Sequence, residues 1–411
     1  MKILTVVCNL EKGGTQRAAQ NFCEGYYELG ADSKILAVSG GGIRVKELRE
    51  KNIDIWLDFN ENTLSEIKRW FPDVIHIHSH RIEESIIYKI KELLPTAKFI
   101  ETNVFSIPSN YAHIIDYSYQ LSSWCEYLYA SRGGKISKSL VLPNPVKTKN
   151  FYKSTEMEII NFKQKYNIPN NNFIFGRIGQ HFYGKWSLYL IDLFKRFVNN
   201  VNNKCILLLI NPPKEIFDHI KVNKIKEKVV IINQITNDNE LRNCYSVIDV
   251  FLHIANKGES FGMVLAESLL CKTPVISLNT PWGDNSQNEI IGKGGKCVNT
   301  IDEFYKEMIY LYKNKRLRDN LGTNGRIQII NNYDYLKLSK NSIDIVNNNF
   351  NKSKLSKNNI FKFYKIDGLK DLIALLLIWI KFNIRIRNSH KYINYLLRKL
   401  YNFELKKGYF I

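Results

Sequence analysis

Short apolar runs alternate with stretches of helical spacing along the first 348 residues, and the series runs twice. Lys2–Cys8 is the first β-rich run, and Thr15–Leu29 follows with apolar residues at helical spacing. Lys34–Ser39, Asp54–Leu57, Asp73–His78 and Lys98–Thr102 read as further short strands, with helical patterns at Asn62–Trp70 and Glu83–Leu94. Leu140–Pro145, with two prolines and an asparagine, marks a domain boundary. A second series has strands at Phe173–Gly179, Cys205–Ile210, Val229–Asn233, Val250–Ile254 and Pro274–Leu278. Its helices are expected at Trp186–Val198, Asn239–Ser246, Met263–Cys271 and Ile301–Lys313. Such alternation predicts an α/β protein of two doubly wound parallel sheets, two Rossmann-like domains facing across a cleft. The expected domains are 1–148 and 149–332, with the helical pattern Tyr333–Asn348 packing back onto the first.

Beyond residue 348 the pattern changes. Residues 349–359 are a polar linker, and nine apolar residues, Leu372–Ile380, form the core of the tail 349–411. Nine residues cannot cross a bilayer. Lys381, Arg385, Arg387, Lys391, Arg398 and Lys399 follow, with Trp379, Tyr392 and Tyr395 among them. An apolar core with basic and aromatic flanks suits an amphipathic helix on an anionic membrane surface, over 369–399. Its alternative is a C-terminal helix packed on its own protein.

Charge sharpens that reading. The formal net charge is +20, and residues 351–411 hold fourteen Lys and Arg against three acidic residues. A basic balance attracts anionic lipid, phosphorylated substrates or nucleic acid. Asn- and Lys-rich composition accounts for part of the charge but not for its clustering. The N-terminal run breaks at Glu11-Lys12-Gly13-Gly14 and reads as a core strand, not a signal peptide. Seven scattered cysteines without a C-x-x-C pair imply reduced thiols and a cytoplasmic setting. His76, His78 and His80 alternate on a strand end without a matching ligand cluster, and no Asp-x-Asp pair occurs. No metal and no cofactor are therefore expected.

The candidate chemistry gathers around Gly258-Glu259-Ser260-Phe261-Gly262-Met263-Val264-Leu265-Ala266-Glu267. A strand, a glycine turn and a helix point backbone N–H groups at one spot, where phosphate binds. Glu267 lies about two turns beyond Glu259, and eight residues of helix rise span roughly 12 Å, a separation that suits a long ligand such as a nucleotide sugar. As plain structural residues, Glu259 would cap the helix and Glu267 would face solvent. Gly13-Gly14 follows the first strand, where open α/β sheets bind ligands. Arg177 lies at the end of the first strand of the second series and Lys185 soon after it, and the two could bracket a diphosphate.

Together these residues resemble a GT-B glycosyltransferase of the family 4 type, the retaining enzymes with an E-x7-E motif, over about residues 1–348. The likeness rests on Gly258–Glu267 with Thr273-Pro274-Val275-Ile276, on Gly13-Gly14, on Arg177 with Lys185, and on Pro143-Asn144-Pro145-Val146. It implies that Glu267 binds the donor ribose, and that Glu259, with the amides around Phe261-Gly262-Met263, holds the transferred sugar and its phosphate. It gives Arg177 and Lys185 the departing diphosphate, and has Gly13 and Gly14 approach the donor. The chain departs from the family in two places. Arg177 and Lys185 stand eight apart where six is usual, and Asn103 stands where a histidine is common. Asn103 and His78 are the candidate acceptor-side residues, and residues 281–287 occupy the place of the donor-pocket loop.

The expected activity is transfer of a hexose from a nucleotide sugar to a cell-envelope polysaccharide or glycolipid, without metal, at the cytoplasmic face of the membrane. The expected partners are the donor, the glycan acceptor and an anionic lipid surface, not nucleic acid. Two alternatives stand beside it: a sugar-nucleotide epimerase on the same fold, and a basic nucleic-acid-binding protein.

Overall fold

The computed structural model describes residues 1–348 apart from Thr236 and Trp282, and seven apolar residues of the tail. Those seven, Ile373, Leu376, Leu377, Ile380, Ile393, Leu396 and Leu397, are helical. Ile393 and Leu397 are buried, as the alternative of a helix packed on its own protein expects, while Leu376 is exposed; the basic and aromatic residues of the tail lie outside the described residues.

The chain divides into two compact units. The first comprises Met1–Lys147 and, among the described residues, the returning chain 332–348; the second holds Thr148–Asn331 and the seven described residues of the tail. The first unit is a seven-stranded sheet in the order β3-β2-β1-β4-β5-β6-β7. Its strands are β1 (Lys2–Val7), β2 (Asp32–Ala37), β3 (Ile55–Trp56), β4 (Val74–His78), β5 (Lys98–Asn103), β6 (Tyr117–Gln120) and β7 (Ser139–Val141). All pairings between these strands are parallel. The second unit has six parallel strands in the order β10-β9-β8-β11-β12-β13. They are β8 (Phe173–Ile178), β9 (Cys205–Ile210), β10 (Val229–Ile232), β11 (Val250–His253), β12 (Val275–Leu278) and β13 (Gly295–Val298).

Helices cover both faces of a parallel sheet, so its strands are apolar on both sides. In the first unit Leu4, Val6, Ile75, Ile77 and Phe99 pack on one face, against the helix Glu84–Leu93 among others. Ile3, Val74, Ile100 and Tyr119 pack on the other with Phe22 and Tyr26 of the helix Gly14–Glu28.

The final described helix, Tyr335–Val346, belongs to this second face. Its Leu338, Ile345 and Val346 are in the same buried cluster. It lies close on the helix Gly14–Glu28: a Cβ at Gly25 would stand 2.2 Å from Ser339 Oγ. Buried polar groups stitch the contact. Tyr26 Oη is 2.7 Å from Ser342 Oγ and 2.9 Å from His76 Nδ1, and Tyr119 Oη is 3.1 Å from Ser342 Oγ. The fully buried Glu24 takes ion pairs from Lys147 and Lys51, each at 2.7 Å. A buried carboxylate is tolerable only when so paired.

Strand order reverses between β1 and β4 in one sheet and between β8 and β11 in the other. At such a switch point the loops leaving adjacent strands part to opposite faces and open a crevice at their C-terminal ends. Gly13-Gly14 and His78 lie beyond or at the ends of β1 and β4, and Arg177 and His253 at the ends of β8 and β11.

No helix among the described residues is long and apolar enough to cross a membrane.

Candidate donor site

The second unit places Glu259 and Glu267 after β11, although the interval between them is not continuous helix. The helix runs Met263–Leu270, so Glu259 stands in the preceding turn and Glu267 at the fifth helical position. The separation expected from helical rise therefore does not apply. Glycine decides this: Gly258 and Gly262 adopt φ of +70° and +96°, a region costly for other residues. At Gly258 space is also denied, since a Cβ would stand 1.8 Å from the carbonyl oxygen of Asp284. Asp284 and Ser286 are held there, Asp284 N–H donating to Lys257 O at 3.0 Å and Ser286 N–H to Glu259 O at 2.9 Å.

Both carboxylates are largely buried, and each has a particular partner. Lys185 Nζ donates to Glu259 Oε2 at 2.7 Å and to the carbonyl of Gly258 at 3.1 Å. On the other oxygen, Oε1, His253 Nε2 lies at 3.3 Å. Burial alone would raise the Glu259 carboxyl, but the Lys185 ammonium and the contact with His253 outweigh it and hold the group well below the usual carboxylate range. Glu267 Oε2 accepts from Tyr245 Oη at 2.8 Å. Burial and the Glu267 charge push the Tyr245 phenol well up, so it remains a donor.

The two cations differ. Lys185 has a partly exposed side chain and meets Glu259 directly. Arg177 is fully buried, its guanidinium donating to the carbonyls of Ile178 at 2.9 Å and Lys185 at 2.6 Å. Its Cζ lies 5.4 Å from the Trp186 ring and 5.7 Å from that of Phe251. Arg177 thus fixes the backbone that carries Lys185 and adds positive potential from behind. Phe261 is buried, and Met263 opens a helix whose start has no side-chain cap.

In the first unit, Gly13 precedes the helix Gly14–Glu28, whose first turn has no side-chain cap. His78 is buried with neither ring nitrogen hydrogen-bonded among the described residues, and burial pushes it down to about 3. Asn103 is buried, its amide donating to Ile107 O at 2.8 Å while Oδ1 stays unpaired. Among the described residues no cluster of His, Cys, Asp or Glu could hold a metal ion. Tyr245 and His253 carry no sequence motif; only the folded register brings them to the carboxylates.

Residues 158–328, most of the second unit, match the family model for glycosyl transferases group 1. No curated protein sequence matches the chain. Among solved structures, the chain is similar to a glycosyltransferase from Rickettsia africae ESF-5, with a TM-score of 0.70 and 20% identity over 84% of this chain and 98% of that one. It is similar to HepE of Anabaena in complex with UDP and glucose, with a TM-score of 0.70 and 14% identity over 84% and 99%. A third is WaaG, a glycosyltransferase involved in lipopolysaccharide biosynthesis, with a TM-score of 0.59 and 11% identity over 84% and 99%. The fold is that of the GT-B glycosyltransferases.

Proposed function

We propose that this chain, a GT-B glycosyltransferase, moves a hexose from a nucleotide sugar to a cell-envelope polysaccharide or glycolipid with retention at the anomeric carbon. The observation that carries the reading is the carboxylate pair after β11, Glu259 against Lys185 and Glu267 against Tyr245, inside the matched segment. Glu267 binds the ribose hydroxyls. Glu259, with the amides about Phe261, Gly262 and Met263, holds the sugar and its phosphate. Lys185 moves from Glu259 toward the departing diphosphate, with Arg177 behind it. The bond from the anomeric carbon to the phosphate oxygen breaks as the acceptor oxygen bonds the same carbon from the same face. The acceptor proton passes to the leaving phosphate, and preorganised cations stabilise the charge that develops there. No protein nucleophile and no metal enter these steps. On the acceptor side, His78 and Asn103 supply unfilled polar groups at the strand ends of the first unit, while the Gly13-Gly14 turn approaches the donor.

UDP-glucose is the first donor to try, because HepE is seen with UDP and glucose. Melting curves with UDP-glucose, GDP-mannose and ADP-glucose test the reading, since a ligand of the native state stabilises it by about RT ln(1 + [L]/Kd). The expected outcome is a shift with one of them and sugar transfer on adding acceptor. No shift with any of the three defeats the donor assignment, and a rearranged donor sugar formed without acceptor identifies an epimerase instead.

The same reading places the enzyme on the inner face of the membrane, with 369–399 against anionic lipid. Full-length protein should co-sediment with phosphatidylglycerol vesicles and lose that binding when Lys381, Arg385 and Arg387 become Glu. Unchanged binding removes the tail from the proposal.

A further inference from the structure

His253 is a fully buried titratable residue that the proposed reaction leaves unused. It ends β11, where parallel register sets it beside Ser277 of β12. Its ring lies between two polar partners. Nδ1 is 2.8 Å from Ser277 Oγ, and Nε2 is 3.3 Å from Glu259 Oε1. The proton positions follow from what each partner can offer. An ionised carboxylate has only lone pairs, so Nε2 carries the hydrogen. Burial, and then the Arg177 charge, push the imidazole down to about 4, against the opposing pull of Glu259. At neutral pH the ring therefore has a single N–H. Nδ1 is left as an acceptor, and the Ser277 hydroxyl donates to it.

We propose that His253 is a positioning residue for Glu259: Ser277 fixes its tautomer, and its Nε2–H holds Oε1 while Lys185 holds Oε2. The proposal rests on the donor-site reading above, in which Glu259 meets the transferred sugar. Lys185 is drawn toward the departing phosphate during the reaction, and at that moment His253 is the side chain that keeps the carboxylate in place. A buried partner inside the sheet suits this task, because its position does not depend on the ligand. Such second-layer hydrogen bonds decide whether a site holds its productive geometry. A histidine that only fills the core would need the same volume but no N–H at that place.

Full-length protein distinguishes the two. His253→Gln puts an amide N–H near the place of Nε2, His253→Leu removes it, and Ser277→Ala frees the tautomer. The first readout needs no substrate. In protein with ¹⁵N-labelled histidine, the resonances lost in His253→Gln should report a neutral Nε2–H ring, unchanged from pH 5.5 to 8. A ring protonated at pH 7, or one with its hydrogen on Nδ1, overturns the proposal.

The second readout is turnover of UDP-glucose, GDP-mannose or ADP-glucose, whichever the wild type uses. Loss of one hydrogen bond to a charged group should lower kcat/KM roughly 10- to 100-fold in His253→Leu. His253→Gln should recover most of that, and Ser277→Ala should fall between. The acid limb of the pH profile should move up in His253→Leu. Glu259 then loses one of the groups that keep it ionised, while Lys185 and Arg177 still face it. Equal losses in the Leu and Gln variants with an unmoved acid limb make His253 a core residue and overturn the proposal. If the wild type turns over none of the three donors, the functional reading fails, and the NMR result alone decides whether His253 holds Glu259.

Discussion

A carboxylate binds a hydroxyl well only if it is held before the hydroxyl arrives. For Glu267 the holder is Tyr245, buried on the helix Asp238–Val247 and donating at 2.8 Å. A hydrogen bond to a charged group is worth about 1.5–3 kcal/mol when removed, but Tyr245→Phe leaves the carboxylate present and only loosens it. The expected result is a rise of a few-fold in donor KM with kcat little changed. Glu267→Ala removes the grip itself and should raise donor KM ~10-fold or more, as loss of such a bond implies. Steady-state kinetics over a donor series measure both, and an unchanged KM in Glu267→Ala with normal turnover ends the ribose assignment. The E-x7-E spacing was legible in the chain because it is local. Tyr245 and His253 were not: Tyr245 lies in the largely polar helix DNELRNCYSV and His253 in the apolar strand VFLH, and neither segment marks its ring as a partner of a carboxylate. Their roles depend on which strand or helix lies alongside, and no local pattern carries that.

At the scale of elements, the legible ones are those whose apolar positions repeat with one period. CILLLI forms β9 over Cys205–Ile210 as expected, and Ile301–Lys313 is a helix over the expected span. YSYQ in β6 and GKCV in β13 went unread, because each has too few apolar residues to show against its surroundings. The helix Lys315–Tyr333 is largely polar and likewise gave no stripe. The helix Tyr335–Val346 was legible as a helix, and its packing gives it a distinct part. It supplies Leu338, Ile345 and Val346 to the core of the first unit, and Ser342 to Tyr26 and Tyr119. Removing it exposes the apolar face made by Ile3, Phe22, Ile100 and Tyr119 to water and takes the Ser342 partner from Tyr26 and Tyr119. A fragment of residues 1–147 should therefore lack cooperative unfolding by circular dichroism, and regain it when 332–348 is joined through a flexible linker. A cooperative transition in the shorter fragment would show that the helix is dispensable.

For the molecule as a whole, the sequence told of two α/β halves through its doubled alternation, and the two parallel sheets match it. The order of strands within each sheet was not written in that alternation. It comes from the right-handed crossover of each strand–helix–strand unit and from which helix covers which face. The switch points that result place the Gly13-Gly14 turn and the Glu259 turn each at the C-terminal edge of its own sheet.

The return of the chain at Asn332 has a consequence in time. Synthesis runs from the N-terminus, so the first unit is translated first but lacks a core helix until the end. At about 5–20 residues per second, roughly 200 residues take on the order of 10–40 s to add. For that interval the ribosome carries an open sheet, with Phe22, Ile100 and Tyr119 lacking their final cover, while Thr148–Asn331 of the second unit is made. The half that begins the chain thus stays open while both sheets are being made, and in that interval a chaperone would find its hold.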